Sequence, residues 1–287
     1  MAKAYILYNP LAGNGRGRED VKALSEMISD EIVLCDMTEG YQSIIETLGE
    51  DDYIVLCGGD GTLNRFINET ENCFIKSDVL YFACGSGNDF ASDLGRGRAE
   101  KPYSIKEYLI ELPSVTVNGK SYRFLNGVGY GIGGYCCEVG DQHRAIPGKK
   151  VDYTMIAIKG LLFHYKPTNA KITVDGVEHT YKKVWLAPTM HGRYYGGGMI
   201  PTPAQDRKNG EGKLSTLVFH GSGKIHTLMV FPSIFKGEHI KHNKIVEVLE
   251  GHEITVEFDR PTALQIDGET ILGVTSYTAC GKVAAKV

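Results

Sequence analysis

Acids stand at three places in this chain where phosphate chemistry could use them: Asp60, Asp89, and the pair Asp267 and Glu269. Gly58-Gly59-Asp60-Gly61-Thr62 follows the apolar run Tyr53-Ile54-Val55-Leu56-Cys57 and precedes Leu63, Phe66 and Ile67 at helical spacing. In a strand, glycine turn and helix taken in that order, backbone N–H groups can close on a polyanion, and the helix N-terminus faces it. A carboxylate inside such a turn repels phosphate unless a cation lies between them. Asp60 therefore points to Mg²⁺ and a nucleotide. The plainer reading is a tight strand–helix turn with an exposed Asp.

Cys84-Gly85-Ser86-Gly87-Asn88-Asp89 forms a second turn of this kind, after Val79–Ala83. Ser86 could donate to a phosphate oxygen, and Asn88 and Asp89 could bind ligand or simply cap the next helix. Asn9-Pro10-Leu11-Ala12-Gly13-Asn14-Gly15 closes the first apolar run. Far downstream, Gln265-Ile266-Asp267-Gly268-Glu269 ends a strand-like run. On an extended segment Asp267 and Glu269 face the same way, and Gly268 lets the chain bend so that both reach one atom. Such a pair can hold a metal and take a proton; the alternative is a hairpin turn with solvated acids.

The elements that must carry these turns follow from periodicity. Over the first ~110 residues short apolar runs alternate with helical patterns, as in βαβ units. Strands are expected at Ala4–Tyr8, Glu31–Cys35, Tyr53–Cys57 and Val79–Ala83, and helices at Arg18–Ser29, Gln42–Leu48, Thr62–Asn68 and Phe90–Leu94. A parallel sheet covered on both faces would place ligand at the carboxyl ends of its strands. Beyond Leu112 the pattern turns to β-hairpins around Asn118-Gly119 and Asp175-Gly176. Further β-like runs are Leu214–His220, Ile245–Leu249, Glu253–Phe258 and Thr262–Ile266, interrupted by helices at Val151–Tyr165 and near Ile225–Phe231.

The 287 residues suffice for two cores. A net charge of −4 implies no bulk attraction to nucleic acid, so no nucleic-acid partner is expected. Neither a signal peptide nor a spanning apolar stretch is visible, which predicts a cytoplasmic protein. Seven cysteines without a C-x-x-C pair read as thiols in a reducing compartment.

Other patterns do not carry chemistry. Gly129-Tyr130-Gly131-Ile132-Gly133-Gly134 matches G-x-G-x-x-G, but no strand with a terminal acid follows at dinucleotide spacing. Gly119-Lys120-Ser121 lacks the upstream glycine of a P-loop, and Glu238, His239 and His242 form no H-E-x-x-H. The stripes Leu161-Leu162-Phe163 and Met229, Val230, Phe231, Ile234, Phe235 read as core, with a lipid-contact rim as the alternative.

Taken in order, several motifs resemble the diacylglycerol kinase catalytic-domain family, bacterial lipid kinases related to sphingosine and ceramide kinases. They are Asn9-Pro10-x-Ala12-Gly13, Gly58–Thr62, Gly85-Ser86-Gly87-Asn88-Asp89-Phe90-Ala91, Phe124-Leu125-Asn126-Gly127, Gly196-Gly197-Gly198-Met199 with Pro201, and Asp267-Gly268-Glu269. The acidic turn alone is shared with soluble NAD kinases and phosphofructokinases.

The resemblance implies a Rossmann-like α/β nucleotide-binding domain over 1–112, joined by a C-terminal strand at 276–287, and an antiparallel β-sandwich lipid-acceptor domain over 113–275. It also implies ATP and Mg²⁺, transfer to the hydroxyl of a lipid such as diacylglycerol, a role in phospholipid biosynthesis, peripheral contact at the inner membrane face, and a homodimer. Asn9, Pro10, Leu11, Ala12, Gly13, Thr38, Gly58, Gly59, Asp60, Gly61, Thr62, Leu63, Asn64, Arg65, Gly85, Ser86, Asn88 and Asp89 would line the nucleotide. Asp60 and Asp89 would organise metal and phosphates. Glu269 would be the general base, with Asp267 orienting it or completing the metal shell.

Three departures stand out. Ser86 replaces the usual Thr, Glu111 matches a junction acid weakly, and Asp206-Arg207-Lys208-Asn209-Gly210-Glu211-Gly212 is rearranged where many members bind a structural Mg²⁺. A soluble-metabolite kinase of the NAD-kinase type and a non-catalytic nucleotide or lipid sensor are the rival readings. Asp267 and Glu269 weigh against the sensor, which has no use for a general base.

Overall fold

Four six-residue runs lie side by side as parallel strands in the computed structural model, which describes residues 2–10, 16–146 and 151–281. They are β1 (Lys3–Tyr8), β2 (Glu31–Asp36), β3 (Tyr53–Gly58) and β4 (Asp78–Ala83), and a short antiparallel β5 (Tyr103–Ser104) closes one edge. The sheet order is β2-β1-β3-β4-β5. Inside the sheet, Ile54, Val55 and Leu56 of β3 are fully buried, as expected of a strand covered on both faces.

The helices α1 (Gly17–Ser25), α2 (Gln42–Glu46), α3 (Asp60–Glu69) and α4 (Asp89–Asp93) connect these strands. Val21 and Leu24 of α1 pack on Ile6, Val55 and Phe82, which share one sheet face by strand alternation. Chain direction across the sheet reverses between β1 and β3, so their carboxyl ends flank the topological switch point where α/β sheets bind ligands.

The chain divides into two units, Met1–Leu112 and Pro113–Val287. The second unit is antiparallel. Its elements are β6 (Ser114–Val117), β7 (Lys120–Arg123), β8 (Gly127–Tyr130), α5 (Ile132–Arg144), α6 (Tyr153–Lys159), β9 (Thr168–Val174), β10 (Val177–Val184), β11 (Thr189–Met190), β12 (Leu214–Phe219), α7 (Lys224–Val230), β13 (Val246–Gly251), β14 (Glu253–Ile266) and β15 (Glu269–Cys280). Three hairpins, β6–β7, β9–β10 and β14–β15, turn through Asn118-Gly119, Asp175-Gly176 and Asp267-Gly268, all at positive φ. Two-residue loops that match strand twist need this backbone, which Asn-Gly and Asp-Gly adopt readily.

Long β14 is bent: Ile254–Phe258 pairs with β9, and Leu264–Ile266 pairs with β8. The irregularity falls around Pro261, where proline is tolerated within a strand. Phe124, Tyr130, Ile172, Val218, Val256, Leu264 and Tyr277 form the sandwich core. A second cluster, with Leu161, Trp185, Phe219, Val230 and Ile234, lies under α6 and α7.

Several expectations shift. The runs 253–258 and 262–266 are one strand, and the helix expected over Val151–Tyr165 is α6 plus a π-helical turn at Gly160–His164. Residues 276–280 belong to β15, paired with β14 and β6 inside the second unit, whereas 282–287 lie outside the described residues. Helix α5 was not expected, because glycine-rich sequence disfavours helices. Its glycines are used for packing: a Cβ on Gly134 would overlap the Ala263 carbonyl and one on Gly133 the Tyr195 hydroxyl, as would one on Gly129 of β8. The G-x-G-x-x-G match is therefore a strand–helix joint in an antiparallel sheet. Among the described residues no helix is long and apolar enough to cross a membrane.

Candidate functional site

In the first unit two glycine turns leave adjacent strands at one sheet edge, in the register Gly58 opposite Ala83. The amides of Cys84 and Gly85 both donate to the Gly58 carbonyl, at 2.9 and 3.2 Å. The turns then touch backbone to backbone, so that a Cβ on Gly59 would lie 2.9 Å from Gly85 Cα. Close approach, not positive φ, is what demands glycine at 59, where φ is −115°.

Asp60 opens α3 and reaches across to the other turn. Its Oδ2 accepts from the Asp89 amide and its Oδ1 from the Phe90 amide, each at 3.0 Å. The half-buried carboxylate thus caps α4 from a different helix, which satisfies donors that a helix start leaves unpaired. Asn88, left-handed at φ 52°, donates through Nδ2 to the Gly85 carbonyl at 2.9 Å. Ser86 and Gly87 stay exposed at the tip, while Asp89 is buried.

Other nucleotide-lining expectations fare unevenly. Asn9 and Pro10 are half-buried after β1, and Leu11, Ala12 and Gly13 lie outside the described residues. Gly61 is exposed, Arg65 is half-buried and bonds Glu69 at 2.6 Å, and Thr62 and Asn64 are buried on α3. Leu63 is fully buried, so it serves the core and not a ligand face; its helical phase turns it inward. Thr38 is exposed and donates from both amide and hydroxyl to Asp36 Oδ1, at 2.8 and 2.7 Å. The Thr38 hydroxyl, then its amide, hold the Asp36 carboxyl below its ordinary pKa. Asp36 was missed, although an acid ending a strand beside β1 was a usable signal. Arg98 was missed without any such signal; its guanidinium donates twice to the Cys84 carbonyl, at 3.3 and 3.1 Å.

In the second unit Asp267 stands in the β14–β15 hairpin turn and Glu269 opens β15, and the two acids part company. Asp267 is buried: Oδ2 accepts from the Leu125 amide at 2.6 Å, and Oδ1 accepts from the Asn126 and Gly127 amides at 2.8 and 2.9 Å. Glu269 is exposed. The expected convergence of both carboxylates on one atom is not met. The left-handed backbone at Asp267 turns its side chain into the 125–127 loop, which extended geometry would not do.

A buried polar network anchors that loop. Arg207 donates to the Leu125 carbonyl and to Asn126 Oδ1, both at 3.2 Å, and His191 Nδ1 lies 2.9 Å from the Leu125 carbonyl. Gln205 in turn donates to the His191 carbonyl at 3.2 Å. Arg207, His191 and Gln205 were missed because only tertiary folding brings them to Asn126.

The donor sets decide where a cation fits. The 206–212 stretch carries the buried Arg207, whose guanidinium bonds residues 125 and 126, and Asp206 Oδ1 is bonded to the Lys208 amide at 2.9 Å. That loop carries its own fixed cation and does not fit a structural Mg²⁺. Among the described residues no three His, Cys, Asp or Glu side chains gather as a metal site. Asp60 and Asp89, beside glycines whose Cβ atoms would fill the turn, instead fit a nucleotide-borne Mg²⁺. Such an ion takes most of its oxygens from phosphate and water.

Residues 3–116 match the family model of the diacylglycerol kinase catalytic domain, and residues 126–282 that of the YegS C-terminal NAD kinase beta sandwich-like domain. A diacylglycerol kinase of Mycobacterium tuberculosis is 24% identical over 262 residues, 85% of this chain and 82% of that protein. A Staphylococcus aureus protein described as a candidate lipid kinase is 27% identical over 260 residues, covering 87% and 79%. A diacylglycerol kinase crystal structure from Bacillus anthracis shares the fold, with a TM-score of 0.60 at 19% identity, over 98% of this chain and 93% of that one. The chain belongs to the diacylglycerol kinase catalytic-domain family of lipid kinases.

Proposed function

We propose that this protein transfers the γ-phosphoryl group of ATP to the hydroxyl of a lipid such as diacylglycerol. The observation that carries the reading is the Asp60 carboxylate bridging two touching glycine turns at a sheet's carboxyl edge. Glycines at 59 and 85 let backbone approach phosphate oxygens, and exposed Ser86 offers a hydroxyl donor beside them. When bound with the nucleotide, Mg²⁺ offsets phosphate charge, and Asp60 and Asp89 are the acids that would hold it.

Exposed Glu269 is the general base. It takes the proton from the acceptor hydroxyl as the acceptor oxygen bonds to the γ-phosphorus and ADP departs. Asp267 touches no substrate in this scheme; it pins the turn that presents Glu269. In Glu269→Gln, turnover should fall roughly 10²–10⁴-fold while ATP affinity is unchanged. Unaltered turnover would remove Glu269 from the mechanism. Phosphate transfer to NAD in preference to a lipid extract would overturn the acceptor class.

A further inference from the structure

The two apolar stripes of the second unit split between core and solvent. Leu161, Val230 and Ile234 join one buried cluster, whereas Phe163, Ile225 and Met229 are 72%, 74% and 69% exposed. These outward residues share a neighbourhood. Lys224 Nζ donates to the Leu162 carbonyl at 2.9 Å, which ties the start of α7 to the π-helical turn carrying Phe163. Ile225 and Met229, four apart, lie on one face of α7. Large apolar side chains so displayed mark an interaction surface.

Charge identifies the partner. Residues 151–166 and 224–244 contain six lysines against two acids, in a chain whose net charge is −4. Helices that expose apolar residues among lysines suit the interface of an anionic bilayer, where acyl chains receive the apolar tips and headgroups meet the ammonium groups. We propose that Phe163, Ile225 and Met229, flanked by Lys159, Lys224 and Lys236, form the face by which this protein docks on an anionic lipid surface. The proposal rests on the lipid-kinase reading for its purpose but not for its test.

The full-length protein, without nucleotide, is sedimented with vesicles of phosphatidylglycerol and phosphatidylcholine, and with phosphatidylcholine alone. Binding should require phosphatidylglycerol and weaken with salt. In the double variant Phe163→Glu, Met229→Glu binding should fall roughly tenfold, with an unchanged circular dichroism spectrum. Both positions are exposed, so folding should survive; Ile225→Ser is a milder second variant, expected to show a smaller loss.

Transfer to a short-chain diacylglycerol in detergent should persist in the double variant. Vesicle binding equal to that of the unaltered protein would overturn the proposal. So would conversion of a dimer to a monomer by the variant with no change in vesicle binding, which would make the face a contact between copies. Vesicle binding that needs Phe163 and Met229, without phosphoryl transfer to any lipid, would support the face and overturn the kinase reading instead.

Discussion

Three consecutive amides donate to the Asp267 carboxylate, and this fixes what a neutral substitute can do. In Asp267→Asn the amide oxygen can still serve Asn126 and Gly127, but its NH₂ then faces the Leu125 N–H. One buried donor loses its partner, at a cost of about 1–3 kcal/mol. A urea-unfolding midpoint indistinguishable from that of the unaltered chain would contradict this. Asp175 works differently, because its carboxylate is partly exposed and accepts from the His252 and Glu253 amides at 2.9 and 2.8 Å. The Glu253 amide bond leads in lowering its pKa. A lowered folded pKa stabilises above the unfolded value of about 4 and is lost as pH falls through the folded one. Asp175→Asn should therefore be less stable than the unaltered protein near pH 7, with the gap closing in acid; a constant gap would contradict the linkage.

At the scale of elements, the two glycine turns behave as one piece. A Cβ on Gly85 would overlap Gly59 Cα, and backbone offers no flexible side chain to move aside. Gly85→Ala should part the turns, lower stability by about 1–3 kcal/mol and weaken ATP binding. Unchanged calorimetric ATP affinity would show that the turns do not act together. The strand–turn–helix units were legible because each apolar run is short, periodic and closed by glycine. Helix α5 was not, since its glycines answer to Tyr195 and Ala263, which sequence spacing does not place nearby. The hairpin at Asp267-Gly268 was half legible. Its residues were found, but the inward turn of Asp267 depends on a positive φ that alternation along an extended chain does not anticipate.

For the molecule as a whole, cysteine count and spacing foretold thiols, and all seven cysteines are free. What sequence did not reveal is that the fold raises the pKa of five of them. Burial raises the thiols of Cys35 and Cys280 and pushes Cys136 and Cys137 up to about 12. Cys57, 3.7 Å from the Cys84 sulfur, is raised first by that contact and then by burial. Only the thiolate attacks alkylating reagents, and a group near 12 is ionised in fewer than roughly one in 10⁴ molecules at neutral pH. Native protein should therefore resist iodoacetamide at Cys57, Cys136 and Cys137, and guanidinium should open all seven sites to complete labelling. Peptide mass spectrometry reads each site separately. Rapid native labelling of adjacent Cys136 and Cys137 would mean that the packing of α5 against β14 opens readily, which the glycine contacts along that helix argue against.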